Sequence, residues 1–462
     1  TNDGGLELAA PVYLNLAPNY DATVTPRYIG NRGLMAEGEF RYLTENFGGG
    51  RIWGGYLPSD KDYNDEDRKD LHYLHNWKID DQWSTNLEYN YVSDKDFFTD
   101  LDNDPNTRTE LNQRRAWQLN YGNGIPGLRA QLRVEDFQTI DPDLADIDRP
   151  YARLPQLLVN YTKGDVQGLE FEFNNDTAYF KKNIRDFENQ AEPNGTRIFN
   201  EMALRYNLKQ PWGFVVPEVS VRSLNNFYDQ DTVENTNFRS NSEDKSVVVP
   251  QFTLDTGLTF EREGKYLQTL SPRAFYAYAP HQNQDDYPNF DSTAASLNYD
   301  QLFNPKRFYG HDRLEDNNFL SLGLSYSLFG TTGLEKLRTS IGQSFYFDDR
   351  KVTLNNSQND PFNTERQTGP VISIASQLSQ NFSVNANSMW MSNGDNAQRD
   401  FQVYYTGNKG NLYNFGYFNR SNLLDRQEKY DQVTASFIQP VKDNWRIMGH
   451  VQYDLDNNVA RE

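Results

Sequence analysis

The sequence predicts an all-β fold: a large transmembrane antiparallel β-barrel of the outer-membrane type, with about 22 to 26 strands in the complete domain. Three observations carry that prediction. Apolar and polar residues alternate with a period of two in segment after segment, which puts one kind of side chain on each face of a strand. Hydrophobic residues make up only 37% of the 462, below the roughly 45–50% of ordinary soluble domains, and no stretch approaches the ~20 consecutive apolar residues of a membrane helix. Finally, the connections are of two kinds, short turns and long polar stretches, as the two rims of such a barrel require. A barrel tolerates so little apolar material because its lumen is wet and only every second residue meets lipid.

The elements follow in chain order. Residues 11–28 are strand-like but contain Pro11, Pro18 and Pro26. Proline has no N–H to give to a ladder, so the three mark a strand that pairs incompletely with its neighbours, a seam in the wall. Pro11 and Pro26 are read as its principal weakeners, and Pro18 as part of a turn or bulge shared with Asn19. Asn15, Asn19 and Asp21 are assigned to the lumen beside that seam. Residues 83–91 alternate next. In 128–135, Leu128, Ala130, Leu132 and Val134 face one way, and Arg129, Gln131, Arg133 and Glu135 the other. Segments 201–209, 251–261, 320–328 and 445–455 repeat the split. Charged groups are costly toward lipid and acceptable toward water. Leu128, Leu132, Leu204, Leu208, Leu322 and Leu324 are therefore expected to face lipid, and Arg129, Arg133, Arg205 and Lys209 the lumen.

Short turns are expected at 162–168, 262–265 and 440–444, and long polar connections at 58–70, 93–114, 225–245, 281–318 and 355–369. At roughly 19 to 20 residues per strand and connection, the chain supplies about 22 to 24 strands. A barrel that wide needs something in its lumen. Segment 281–318 is expected to fold inward, against a separate plug protein.

Charge and composition exclude other classes. A net charge of -20, from 65 acidic and 45 basic residues, argues against nucleic acid as a partner. The absence of cysteine removes disulfides, thiol catalysis and Cys-ligated metals from these residues. Tyr and Phe, 29 each against 7 Trp, suit girdles at the two membrane interfaces.

Several constellations imitate chemical sites. Gly122-Asn-Gly-Ile-Pro-Gly127 has the spacing of a dinucleotide loop but no helix pattern after it, so it reads as a turn. Asp60, Asp62 and Asn64 begin like a calcium loop, yet Asp65 stands where glycine is needed and Leu71 where the bidentate Glu belongs; an acidic solvated loop is the reading. His72 and His75 fall on opposite faces of a strand and cannot share a metal. No G-x-S-x-G motif is present. Glu170 and Glu172 share one face, as a glycosidase pair would, but lumen solvation explains them. The aromatic run 411–418 reads as an interfacial girdle strand. No cofactor, no metal site and no catalytic residue is assigned.

The seam segment, Gly33-Leu-Met-Ala-Glu-Gly-Glu-Phe-Arg-Tyr-Leu43, Tyr266-Leu-Gln-Thr-Leu-Ser-Pro-Arg273 with Tyr276, Tyr278 and Pro280, Asn298-Tyr-Asp-Gln-Leu-Phe303, Arg307-Phe-Tyr-Gly-His-Asp-Arg-Leu314, Ile341-Gly-Gln-Ser-Phe-Tyr-Phe347, and 430–445 running into Tyr453-Asp-Leu455 occur in this order. In that order they resemble the barrel domain of the LPS-assembly (LptD) family. The resemblance implies an outer-membrane translocon for lipopolysaccharide in a Gram-negative bacterium, which is not an enzyme. Its lateral gate lies between the first and last strands, here at Pro11, Pro18 and Pro26. It also implies a lipoprotein plug, LptE, in the lumen, the barrel-assembly machinery as a transient partner, and a periplasmic jellyroll that receives lipopolysaccharide from the periplasmic bridge. On this reading residues 1–10 are a linker from that missing domain and 11–462 the barrel, with the cysteine pair and last strands lying beyond. Two other classes remain open: a porin or substrate-specific channel, in which prolines at the first strand have no purpose, and a soluble β-rich glycan-binding protein or enzyme, which needs no detergent.

Overall fold

The computed structural model describes residues 5–101, 111–141, 144–145, 148–165, 167–182, 193–229, 244–354, 361–391, 396–420, 430–442 and 445–460. The chain first builds β1 (Glu7–Ala9), β2 (Val12–Ala17), β3 (Tyr20–Ile29), β4 (Gly33–Thr44), β5 (Gly48–Asp60), β6 (Glu66–Lys78) and β7 (Trp83–Val92). A one-turn helix α1 (Phe97–Leu101) precedes β8 (Asn112–Tyr121), β9 (Leu128–Thr139), β10 (Ala152–Gly164) and β11 (Leu169–Lys181). Then come β12 (Gly195–Tyr206), β13 (Leu208–Gln210) and β14 (Gly213–Tyr228), and the pattern continues to Trp445–Asp454 and Val459–Ala460. Each crossing pairs antiparallel with the next, and 26 segments form one sheet. Three crossings are split in two, at Ala10–Pro11, at Asn207 and at Thr259. Setting aside those three second halves and the two-residue segment Val459–Ala460 leaves 22 full crossings of the 26 segments. No helix of the described residues is long and apolar enough to cross a membrane.

Alternation sorts the faces as the sequence predicts. Leu204, Leu208, Leu322 and Leu324 are exposed on the outer face, where lipid replaces water. Arg205 turns inward and holds three carboxylates from the two strands that flank it: Glu170 at 2.8 Å and Glu172 at 3.0 Å on β11, and Glu218 at 2.8 Å on β14. Arg133 also points inward, to Gln156. Burying these charges outward would be costly, so the polar set fixes the register; a slip of one residue would turn every one of them to lipid.

The two rims differ as expected. One carries tight turns, such as 165–168 and 263–266, and the other the long connections. Gly127 shows why sequence matters at a tight turn: its φ is +82°, and a Cβ there would lie 1.9 Å from the Thr162 carbonyl oxygen. Segment 58–70 corrects the expectation of a long loop. β5 runs to Asp60 and β6 starts at Glu66, and positive φ at Ser59, Asn64 and Asp65 closes the hairpin in five residues. Asp60 is not solvated either. It is fully buried between Arg32 at 2.8 Å and Arg68 at 3.1 Å, and Arg68 also grips Asp94 and Asp100 and so seats α1. The wall also starts before the expected boundary at residue 11, because Glu7–Ala9 already pairs with β3. Parts of the expected long connections at 93–114, 225–245 and 355–369 lie outside the described residues.

Packing is concentrated inside the wall near the long-loop rim. There α1 inserts Phe97, Phe98 and Leu101 against Ile29, Met35 and Leu57. Segment 280–316, joining Leu267–Ala279 to Asn317–Phe329, folds inward and packs Leu302 and Phe303 against Phe275, Ala277 and Phe319 of the wall.

Candidate lateral gate and luminal loop

The first crossing, β1 and β2, lies at the edge of the sheet. Among the described residues no ladder joins it to Trp445–Asp454 or Val459–Ala460. Its ladder to β3 keeps one register from Glu7 to Leu14 with a lapse at Ala10–Pro11, and lapses again at Asn15–Leu16, where the register shifts by one residue. The phase of that ladder assigns each proline a separate effect. Gly30 donates to the Leu6 carbonyl at 2.9 Å and Ala10 to the Pro26 carbonyl at 3.1 Å, so even-numbered residues of the first crossing face β3. The return bond from residue 26 to the Ala10 carbonyl has no donor, because residue 26 is proline. Pro11 is odd-numbered, so its missing N–H points to the open edge. Pro26 therefore removes a donor from the ladder between the first strand and β3, and Pro11 presents no donor on the side away from β3. Pro18 sits with Asn19 in the turn between β2 and β3, where Asn19 is fixed to β4 through its own carbonyl and through Nδ2 to the Leu43 carbonyl at 3.2 Å.

Side chains compensate on the luminal face. Arg27 donates from Nε to Glu7 at 2.7 Å and from Nη1 to Glu37 at 2.9 Å, tying three strands together. Tyr13 donates to Asp21 at 3.3 Å, and Arg41 grips the same carboxylate with two bonds at 2.8 and 2.9 Å. Asp21 is thus a tether of the seam, while Asn15 is exposed in the second lapse. Behind the strand lies a cleft of about 950 Å³ lined by Arg27, Glu37, Arg51, Trp53, His72 and Arg114.

Across the lumen, segment 280–316 is bound tightly. Arg197 of β12 is fully buried and reaches Asp176 of β11 at 3.0 Å, Asp291 at 2.5 Å and Asp312 at 2.7 Å. Arg153 of β10 holds Asp291 at 3.0 Å, and Arg222 of β14 holds Glu315 at 2.6 Å. Phe290 stacks on Phe180 of the wall with ring centres 4.5 Å apart. Burial would raise the Asp291 carboxyl, but the guanidinium groups of Arg197 and Arg153 outweigh it and hold the pKa at about 2. His311 stacks on Phe199 at 3.9 Å. Burial first, and Arg197 second, lower its pKa below the ordinary value.

The wall makes room for this segment with small residues. A Cβ at Gly323 would come within 2.4 Å of Phe303, and one at Gly342 within 2.6 Å of Leu302. Ser321 donates to the Leu302 carbonyl and Ser325 to the Tyr299 hydroxyl. Below the segment, toward the short turns, opens a polar vestibule of about 1020 Å³ whose deep end carries Lys306 and His311.

The family model for LptD, LPS transport system D, matches residues 66–445. The chain belongs to this family. An LPS-assembly protein LptD of Acinetobacter baumannii is 70% identical over 462 residues, covering 100% of this chain and 56% of that protein. One from Acinetobacter baylyi is 67% identical over 463 residues, with the same shares of 100% and 56%. The chain thus spans little more than half the length of these LptD relatives. A siderophore receptor, PirA of Pseudomonas aeruginosa, is 11% identical with a TM-score of 0.39, covering 96% of this chain and 76% of that one. Family and sheet together make this an outer-membrane β-barrel wall.

The remaining constellations resolve within this LptD wall. Gly122 to Gly127 is the turn between β8 and β9. His72 faces the lumen, stacked on Trp53 at 4.9 Å, while His75 meets Tyr42 on the lipid side at 2.7 Å. Glu170 and Glu172 are clamped by Arg205 instead of being merely solvated. Tyr413 and Phe415 point outward, and the Tyr413 ring lies 5.9 Å from that of Tyr405. The Arg27 tether and the Arg197 hub were missed in the sequence. Both depend on which residues stand opposite one another, which a period of two does not reveal.

Proposed function

We propose that this chain is the membrane-spanning route of a lipopolysaccharide translocon, which moves a preformed glycolipid without covalent chemistry. The sugar portion passes through the polar vestibule, and the acyl chains leave sideways at the first strand. One observation carries the reading beyond family membership: the first crossing lacks donors on both of its edges, at Pro26 toward β3 and at Pro11 toward the open side. Each missing bond removes about 0.5 to 1.5 kcal/mol, which leaves opening within thermal or ligand-driven reach. A diffusion channel gains nothing from such an edge, and the inward segment 280–316 obstructs a free pore. We further propose the partners that the family implies. These are the lipoprotein LptE as a separate plug against the luminal loop, a periplasmic jellyroll preceding this barrel and linked to the periplasmic bridge, and the barrel-assembly machinery.

Site-specific photocross-linking in the full-length protein tests this. A photoreactive residue at Tyr13 or Leu14 should capture lipopolysaccharide during export, and one at Leu322, far round the wall, should not. Equal capture at all three positions would refute a lateral exit at the first strand.

A further inference from the structure

We propose that Arg27 is an anion-operated latch on the first strand: a phosphate group of the glycolipid displaces Glu7 from the guanidinium and frees residues 7–9 from β3. This inference rests on the lateral-exit reading above and adds what triggers the opening.

Arg27 is 7% exposed and lines the cleft behind the gate. Its fork is only partly used. Nε binds Glu7 and Nη1 binds Glu37, but Nη2 is buried with no hydrogen-bond partner among the described residues. Nε and Nη2 form the edge of a guanidinium that takes a planar oxyanion with two parallel bonds. Glu7 therefore occupies half of a two-point site. A phosphate oxygen pair fills both points, so exchanging Glu7 for phosphate gains a bond where the closed strand leaves a donor unpaired. The other cations of the cleft are better satisfied: Arg114 is held by Glu88 and Glu135 at 2.6 Å each, and Arg51 lies over Trp53 at 3.8 Å and near Glu39 at 3.3 Å.

The consequence for the strand follows from its weak backbone. Residues 7–9 are held by a short ladder that ends at the missing Pro26 donor. Loss of the Glu7 contact removes the main luminal tether of that stretch and lets it swing about the lapse at Ala10–Pro11. Phosphate on the lipid and free phosphate share this chemistry, and the experiment separates them.

Spin labels at Leu8 and Tyr28, opposite one another and exposed to lipid, report strand pairing in the full-length protein with its plug, reconstituted in liposomes. Lipopolysaccharide should raise the separated population about tenfold, and enzymatically dephosphorylated lipopolysaccharide should raise it less than about twofold. Glu7→Gln should open the pair without lipid and respond to lower lipid concentrations. Arg27→Gln should open it without lipid and lose discrimination between the two lipids, and Arg27→Lys should restore closure but only part of the discrimination. Equal responses to both lipids would overturn the latch and leave the lateral exit standing. Labels unmoved by either lipid during normal export would overturn both. A full response to millimolar inorganic phosphate alone would also overturn the coupling to lipid.

Discussion

The first strand and the wall from β9 to β14 are built of the same alternating sequence, yet they are held in opposite ways. Between β11 and β12 the ladder runs unbroken from Leu169 to Phe180, and Arg197 ties both strands to the luminal segment with three carboxylates. The first strand has two lapses in its one ladder, a proline of its own at residue 11 and another opposite it at residue 26, and tethers made by the side chains of Arg27 and Asp21 on β3. Backbone ladders are permanent connections, whereas a side-chain ion pair can be exchanged for another ion. The difference teaches that rigidity here is allocated: the far wall fixes the luminal segment so that the near edge can move.

Removing the hub gives the largest expected effect. Arg197→Met leaves Asp176 and Asp312 buried without that cation and Asp291 with Arg153 alone, a loss of about 3 to 5 kcal/mol. Limited proteolysis should then cut within 280–316 while the β circular-dichroism signal is retained. Arg27→Met should free only residues 7–9. If both variants exposed the same sites, the contrast would be lost.

Crowding the groove comes next. Gly342→Leu drives a side chain into Leu302 and Tyr299, at a cost of about 1 to 3 kcal/mol, and should expel the luminal segment as seen by the same cleavage. Gly38→Leu on the open outer face, where a Cβ meets nothing within 4 Å, should not.

A smaller effect separates the two prolines. Pro26→Ala restores the donor to the Ala10 carbonyl, worth about 0.5 to 1.5 kcal/mol, and should slow amide exchange at Leu8 and Ala10 about twofold to tenfold. Pro11→Ala should leave those amides unchanged, since its donor faces the open edge. Equal slowing by both would show that the register of the first strand is misassigned.

The mildest test is acidification. His311 has a lowered pKa, so its contribution is complete above the ordinary 6.5 and erodes as pH falls below it, where the released segment takes up the proton more readily. Asp291 contributes fully above the ordinary 3.8 and loses its contribution as pH falls toward about 2. Cleavage of the luminal segment should therefore rise in two steps, and His311→Gln should abolish the upper one.

Much of this was readable from residue types alone. Leucines at 204, 208, 322 and 324 face outward as their period demands, and the turn expected at 262–265 falls at 263–266, while part of the one expected at 440–444 lies outside the described residues. The groove has a mark in the sequence too: Ser321, Gly323 and Ser325, with Ser340, Gly342 and Ser344, make three consecutive small inward positions on each of two paired strands, the pattern of a wall approached closely by another segment. What could not be read were the partners of Asp60, Arg27 and Arg197, because each lies on a different element from the charges it meets. A burial that depends on three strands and a returning loop has no local signature. The prolines were visible, but which edge each one weakens required the ladder phase set by Ala10 and Gly30.

Delivery of lipopolysaccharide to the outer leaflet by the full-length Pro11→Ala, Pro26→Ala double variant, assembled with its plug, measures whether the two missing donors set how readily the first strand opens. Restoring two donors strengthens both edges of the first strand by roughly 1 to 3 kcal/mol in total. Delivery should fall by about 5-fold to over 100-fold while the barrel remains folded. Delivery at the wild-type rate by a correctly assembled double variant would show that these prolines do not control the opening.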